Sequence, residues 1–181
     1  MAVSQEMQNW VAEEINERLE ARGSNLRAES RARRYAGGWR SVSVDVHINT
    51  QELGLVLALD PKHLQSRSSI DKNWKNMLND LVAFSGNLHS RFPNCVVGGV
   101  VGFEIQQTDS SMLDEMYDIV KRVAVRERVL DPQDLMEGFA IVVYDCGRHR
   151  LVPDIPPINS PLRASNMFER VADLVTRRYV R

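Results

Sequence analysis

Apolar and polar positions alternate strictly in SVSVDVHI (41–48), where Val42, Val44, Val46 and Ile48 keep a period of two. This predicts a strand whose other face carries Ser43, Asp45 and His47. The next apolar stretch, Leu53 to Leu59, barely alternates and turns polar only at Asp60 and Lys62, as expected of a strand covered on both faces. Asn49-Thr50-Gln51-Glu52 between them is long enough for a hairpin turn. Counting back from that turn sets the end of the second strand beside the start of the first. Asp60 and Lys62 share a face, so Asp45, Asp60 and Lys62 are expected at one end of the hairpin.

Helical spacing brackets this pair. Met7, Trp10, Val11, Ile15 and Leu19 form one stripe, with Glu14 inside it and Glu13 and Glu17 outside. Ile70, Trp74, Met77, Leu81 and Leu88 form another, from which Lys72 and Lys75 fall away. NCVVGGVVGFEI reads as a further buried strand, and its glycines miss the GxGxxG spacing of a dinucleotide turn. A helix is expected over 110–128 (Met112, Met116, Ile119, Val120, Val123), a connection from Asp131-Pro132, and an apolar strand over 138–145. A proline-rich bridge from Val152 to Pro161 leads to a last helix, with Asn166 and Glu169 spaced as a capping box. Its face of Phe168, Val171, Leu174, Val175 and Tyr179 suits the sheet or a second subunit. The expected class is α/β, a single domain over 1–181 with a central mixed sheet flanked by helices.

Two converging carboxylates make a hard oxygen site of the kind that holds Mg²⁺, with waters and a substrate phosphate completing the octahedron. Lys62 beside them would stabilise negative charge growing on phosphorus and orient an attacking water. The plainer reading is an Asp-Pro turn followed by a solvated lysine.

This arrangement resembles the PD-(D/E)xK nuclease superfamily, the restriction-endonuclease-like fold. The residues that carry the likeness are Asp45 on one strand and Asp60, Pro61 and Lys62 on the next, within a helix-strand-strand-strand-helix-strand order over roughly residues 5 to 103. The resemblance implies a Mg²⁺-dependent endodeoxyribonuclease, with Mn²⁺ as a substitute, acting on double-stranded DNA in the manner of type II restriction enzymes, as a homodimer. Asp45, Asp60 and Lys62 would be catalytic, with Asp45 and Asp60 holding metal. The superfamily often adds an acid from its first helix, which makes Glu14 a third metal candidate; a Glu14–Arg18 pair is the alternative. No proline precedes Asp45, and Pro61 stands where the superfamily has an apolar residue. A proline suits a strand's end and not its middle, so the second strand is expected to stop near it. The alternative function is a catalytically silent member of the same fold that binds DNA or a protein.

A net charge of −1 does not announce a nucleic-acid binder, but charge is unevenly spread. Residues 22–40 carry Arg22, Arg27, Arg31, Arg33, Arg34 and Arg40 against Glu29 alone, interleaved with Tyr35 and Trp39. Arg31, Arg33, Arg34 and Arg40 are the expected phosphate contacts; a solvated strand and loop is the alternative. The 43% apolar content over 181 residues suits a full core. No run of eighteen apolar residues and no basic-then-apolar leader occurs, so the expectation is a cytoplasmic chain without a membrane span. Cys95 and Cys146 lack metal spacing and read as buried thiols. His47 and His63 fall near the acids, His89 and His149 read as helix-end and loop residues, and no serine or cysteine has the spacing of a nucleophile elbow.

Overall fold

The alternating strand is broken at Asp45. The computed structural model describes residues 3–64, 70–105, 110–145, 147–148, 150–152 and 154–180; Cys146, His149 and the side chains of Ile70 and Lys72 lie outside the described residues. β1 (Arg33–Ala36) pairs antiparallel with β2 (Ser41–Val44), and past a bend at Asp45 the chain resumes as β3 (Val46–Thr50). Ahead of β1, Glu29 exchanges both backbone hydrogen bonds with His47, at 2.8 and 3.0 Å. Unbroken register from the Arg33–Val44 pair would have set Glu29 opposite Ile48, so one extra residue is accommodated between Glu29 and Arg33. An extra residue of this kind bends a strand and increases its twist. Here the bend changes the company of the apolar side chains. Val42 and Val44 join Tyr35, Phe84 and Leu88, whereas Val46 and Ile48 join Val11, Ile15 and Phe168.

β3 turns through residues 51–53 into β4 (Gly54–Leu64), its antiparallel neighbour. Thr50 Oγ1 accepts the Leu53 N–H at 3.0 Å, and Gly54 takes the positive φ of 69° that closes the turn. β4 pairs in parallel with β5 (Val96–Glu104), β5 in parallel with β6 (Gly138–Asp145), and β6 antiparallel with β7 (Arg150–Leu151). The result is a five-stranded mixed sheet in the order β3-β4-β5-β6-β7. β4 does not stop at Pro61 as expected; it continues to Leu64. Pro61 lies beyond the last β3 pair, Val46 with Leu59, where β4 has a neighbour only in β5, and an edge tolerates the missing donor.

Alternation assigns the two faces. Val96 and Val100 of β5 and Ala140 and Val142 of β6 meet α1 (Val3–Ala21) and α4 (Ala164–Tyr179). Val101, Phe103, Phe139, Ile141 and Val143 meet α2 (Ile70–His89) and α3 (Ser110–Val123). Trp74, Met77, Leu81 and Leu88 are the buried side of α2, as the spacing predicts. α3 ends at Val123 rather than 128, because Arg126 leaves the helix direction to enter a buried ion cluster. α4 begins after Arg163, which makes no side-chain cap, so Asn166 and Glu169 are not a capping box. Asn166 instead donates to the carbonyls of Ile158 and Ser160, and Glu169 binds Arg18 and Arg22. The apolar face of α4 is spent on the sheet and α1. Among the described residues no helix is long and apolar enough to cross a membrane.

Candidate functional site

Asp60 and Lys62 leave β4 on the same side as Ala58, toward α2 and the β1–β2 hairpin. Their side chains touch, Lys62 Nζ lying 3.0 Å from Asp60 Oδ1. Asp45 lies at the bend one step before the Val46–Leu59 pair, near enough for its charge to act on Asp60. Its carboxylate takes a hydrogen bond from Gln8 Nε2 of α1 at 3.0 Å. Asp60 and Lys62 are thus in contact at the rim of the sheet, with Asp45 near Asp60.

Asp60 and Lys62 open on a cleft of 330 Å³, lined also by Arg40 to Ser43 of the hairpin and by Asp80 and Phe84 of α2. Asp60 is only 8% exposed. Burial pushes its carboxyl up to about 6; Lys62 opposes the rise, and the charges of Asp45 and Asp80 add to it. Two acids, Asp60 and Asp80, thus line the cleft with Lys62, and the charge of Asp45 reaches Asp60 from beside it.

Among the described residues no three His, Cys, Asp or Glu side chains gather as ligands of one ion. The candidate donors are the Asp60 carboxylate and, near it, that of Asp45, with Asp80 also on the cleft. That set fits Mg²⁺, which takes one or two carboxylates and keeps water or phosphate oxygens for its other positions.

Glu14 is placed elsewhere. Its carboxylate meets Arg18 at 2.7 Å and the Trp10 indole N–H at 3.2 Å. The residue of α1 that reaches Asp45 is Gln8, six positions earlier and about 9 Å along the helix axis. Its signal was in the helical phase: the buried positions Val11, Ala12, Ile15 and Leu19 extrapolate back one turn to residue 8. Asp80, exposed on α2, carried no comparable signal.

Arg31, Arg33, Arg34 and Arg40 are all exposed, and none has a carboxylate partner among the described residues. Arg22 and Arg27 are engaged with Glu169 and Glu20. His47 points into the hairpin, its ring 5.5 Å from that of Tyr35, and burial lowers its pKa. His63 follows Lys62 onto the opposite face, against Tyr144 at 4.9 Å, so it does not join the cleft.

A second charge cluster was not foreseen. Glu137, fully buried, meets Arg126, Arg178 at 2.8 Å, His89 at 3.1 Å and the Val97 N–H at 2.9 Å. Burial raises its pKa, but His89, the amide and Arg126 outweigh this and hold it below the usual carboxylate range. Ser85 lies 3.2 Å from His89 Nδ1, completing a Ser-His-Glu line. All three are fully buried, and each ring nitrogen also faces a backbone carbonyl, of Gln133 or Cys95. This group ties the ends of α2, α4 and the strand starts together; it offers substrate no access. Cys95 beside it is a buried thiol, its pKa raised by burial.

Compared with known protein families, curated proteins and solved structures, the chain matches none.

Proposed function

We propose that the chain is a Mg²⁺-dependent endodeoxyribonuclease of the restriction-endonuclease-like class, hydrolysing phosphodiester bonds of double-stranded DNA. One observation carries the reading: a buried Asp60 with a raised pKa, in contact with Lys62 and near Asp45, opens on a cleft lined by Arg40. Taking β2 and β3 as one strand bent at Asp45, the order α1-β1-β2/β3-β4-α2-β5 accords with that class's core.

Asp45 and Asp60 would hold the ion, and Gln8 fixes the orientation of Asp45. Bound Mg²⁺, or Mn²⁺ in its place, supplies Lewis-acid polarisation and lowers the pKa of water. Lys62 presents its ammonium to the charge that grows on the phosphoryl oxygens and holds the attacking water in hydrogen-bond reach. Arg40 and the hairpin arginines Arg31, Arg33 and Arg34 bind flanking phosphates. Glu14, committed to Arg18 and Trp10, has no part in this scheme. One cleft cuts one strand, so a two-fold homodimer is the simplest assembly for a double-strand break.

The test is nicking of supercoiled plasmid by purified protein. Mg²⁺ or Mn²⁺ should support it and excess EDTA should stop it; cutting that persists in EDTA overturns the metal-dependent reading. A folded protein that binds DNA and cuts under no metal condition is the silent binder.

A further inference from the structure

The tip of the β1–β2 hairpin, Gly37-Gly38-Trp39-Arg40, is fastened to α2 by one buried side chain. Asn87 Oδ1 accepts the N–H groups of Trp39 and Arg40 at 3.0 and 3.3 Å, and Asn87 Nδ2 donates to the Arg40 carbonyl at 2.9 Å. The Asn87 carbonyl also accepts the Gly38 N–H at 2.8 Å. The approach is so close that a Cβ at Gly37 would collide with the Asn87 amide, and one at Gly38 with the Ser90 side chain. Trp39, held by this clamp, is nevertheless 63% exposed.

A lone exposed apolar side chain is ordinary on a protein surface. One whose backbone is fixed by a dedicated buried amide, next to an arginine that lines the acid cleft, is a presented side chain. Exposed Arg33 and Arg34 lie on the strand that leads into the same turn. Their charge suits a phosphate backbone, and the indole suits the flat face of a base. On α2, Trp39 rests by Gly86 and the cleft by Asp80 and Phe84, two to six residues or about 3–9 Å away along the axis. That is roughly one to three nucleotides at 3.4 Å each.

We propose that Trp39 is a stacking platform for an unpaired base of the bound DNA. The substrate class is then duplex DNA carrying an unpaired or extruded nucleotide within about three positions of the scissile phosphate. Paired bases inside a continuous duplex offer no free face to the indole. Aromatic stacking tolerates any base, so the preference would be for structure and not for sequence. This inference rests on the DNA reading of the cleft.

The experiment is a binding titration in EDTA, where cutting plays no part, using a fully paired duplex and the same duplex with one bulged thymine. Tryptophan emission and gel shift are read for wild type, W39A and W39F, with circular dichroism to confirm folding. Trp74 is buried and Trp10 half-buried, so Trp39 is the indole a base reaches. Wild type should bind the bulged duplex at least about fivefold more tightly, the low end of what base stacking supplies, and its emission should be quenched only by that DNA. W39A should lose the preference, and W39F should keep most of it without the quenching. Equal affinity of wild type for the two DNAs, or a preference retained by W39A, overturns the stacking role and leaves the nuclease reading standing. Failure to bind either DNA overturns both.

Discussion

Asp60 and Lys62 are in direct contact at 3.0 Å, yet the Asp60 carboxyl is pushed up to about 6. A lysine at that distance lowers a carboxyl's pKa; burial, with Asp45 and Asp80 nearby, outweighs it. The protein holds a carboxylate that it would more comfortably hold protonated.

Stability should register this. The native state keeps its proton to about pH 6 and the unfolded chain loses it near 4, so stability falls as pH rises between those values and levels off above. Two pKa units correspond to at most about 3 kcal/mol. Asp60→Asn removes the penalty. Urea unfolding should find it roughly 1–3 kcal/mol more stable than wild type at pH 7, and little different at pH 4. A pH-independent difference would argue against the buried, raised carboxyl.

Glu137→Gln should act in the opposite direction. It leaves Arg126 and Arg178 buried without their carboxylate, a change that costs about 3–5 kcal/mol. Because Glu137 is held below the usual range, its contribution is full above the unfolded pKa and is lost as pH falls through the native one. The variant should therefore lose most at neutral pH, and chemical denaturation at pH 7 and pH 3 checks it.

The legible parts were those with local period. The stripe of α2 and the bounds of β6 followed from spacing, and so did the contact of Asp60 with Lys62. The break at Asp45 was hidden because Val44 and Val46 look alike in sequence although they join different clusters. It arises from an extra residue on the paired segment, 29–33, and no feature of residues 41–48 reports it. His89 and Glu137 are 48 positions apart, and neither has a local partner that would announce a buried ion cluster. Glu14 is a charged residue in an apolar stripe, yet it pairs with Arg18 and Trp10, and uncharged Gln8 holds the phase that reaches Asp45.

Asn87→Ala removes the clamp on the hairpin tip. It leaves the Trp39 and Arg40 amides without their acceptor, which should cost about 1–3 kcal/mol. Hydrogen exchange of those two amides should accelerate; unchanged protection would mean that the tip is held by other contacts.

Replacing Arg33 and Arg34 together with Ala should weaken DNA binding and flatten its salt dependence. Each lost phosphate contact reduces the slope of log affinity against log salt by about 0.9, so the pair should remove up to roughly 2. An unchanged slope would move the DNA surface away from β1.

The central claim is that Asp60 holds the metal for cleavage, and it is tested most directly by a cleavage time course of wild type and Asp60→Asn in Mg²⁺, with circular dichroism confirming both folds. The expected result is a loss of about a hundred- to a thousandfold in rate, the scale on which one electrostatic stabiliser acts. DNA binding in EDTA should be retained or tightened, since a negative charge facing phosphate is gone. A folded Asp60→Asn protein that cuts at the wild-type rate would contradict the account.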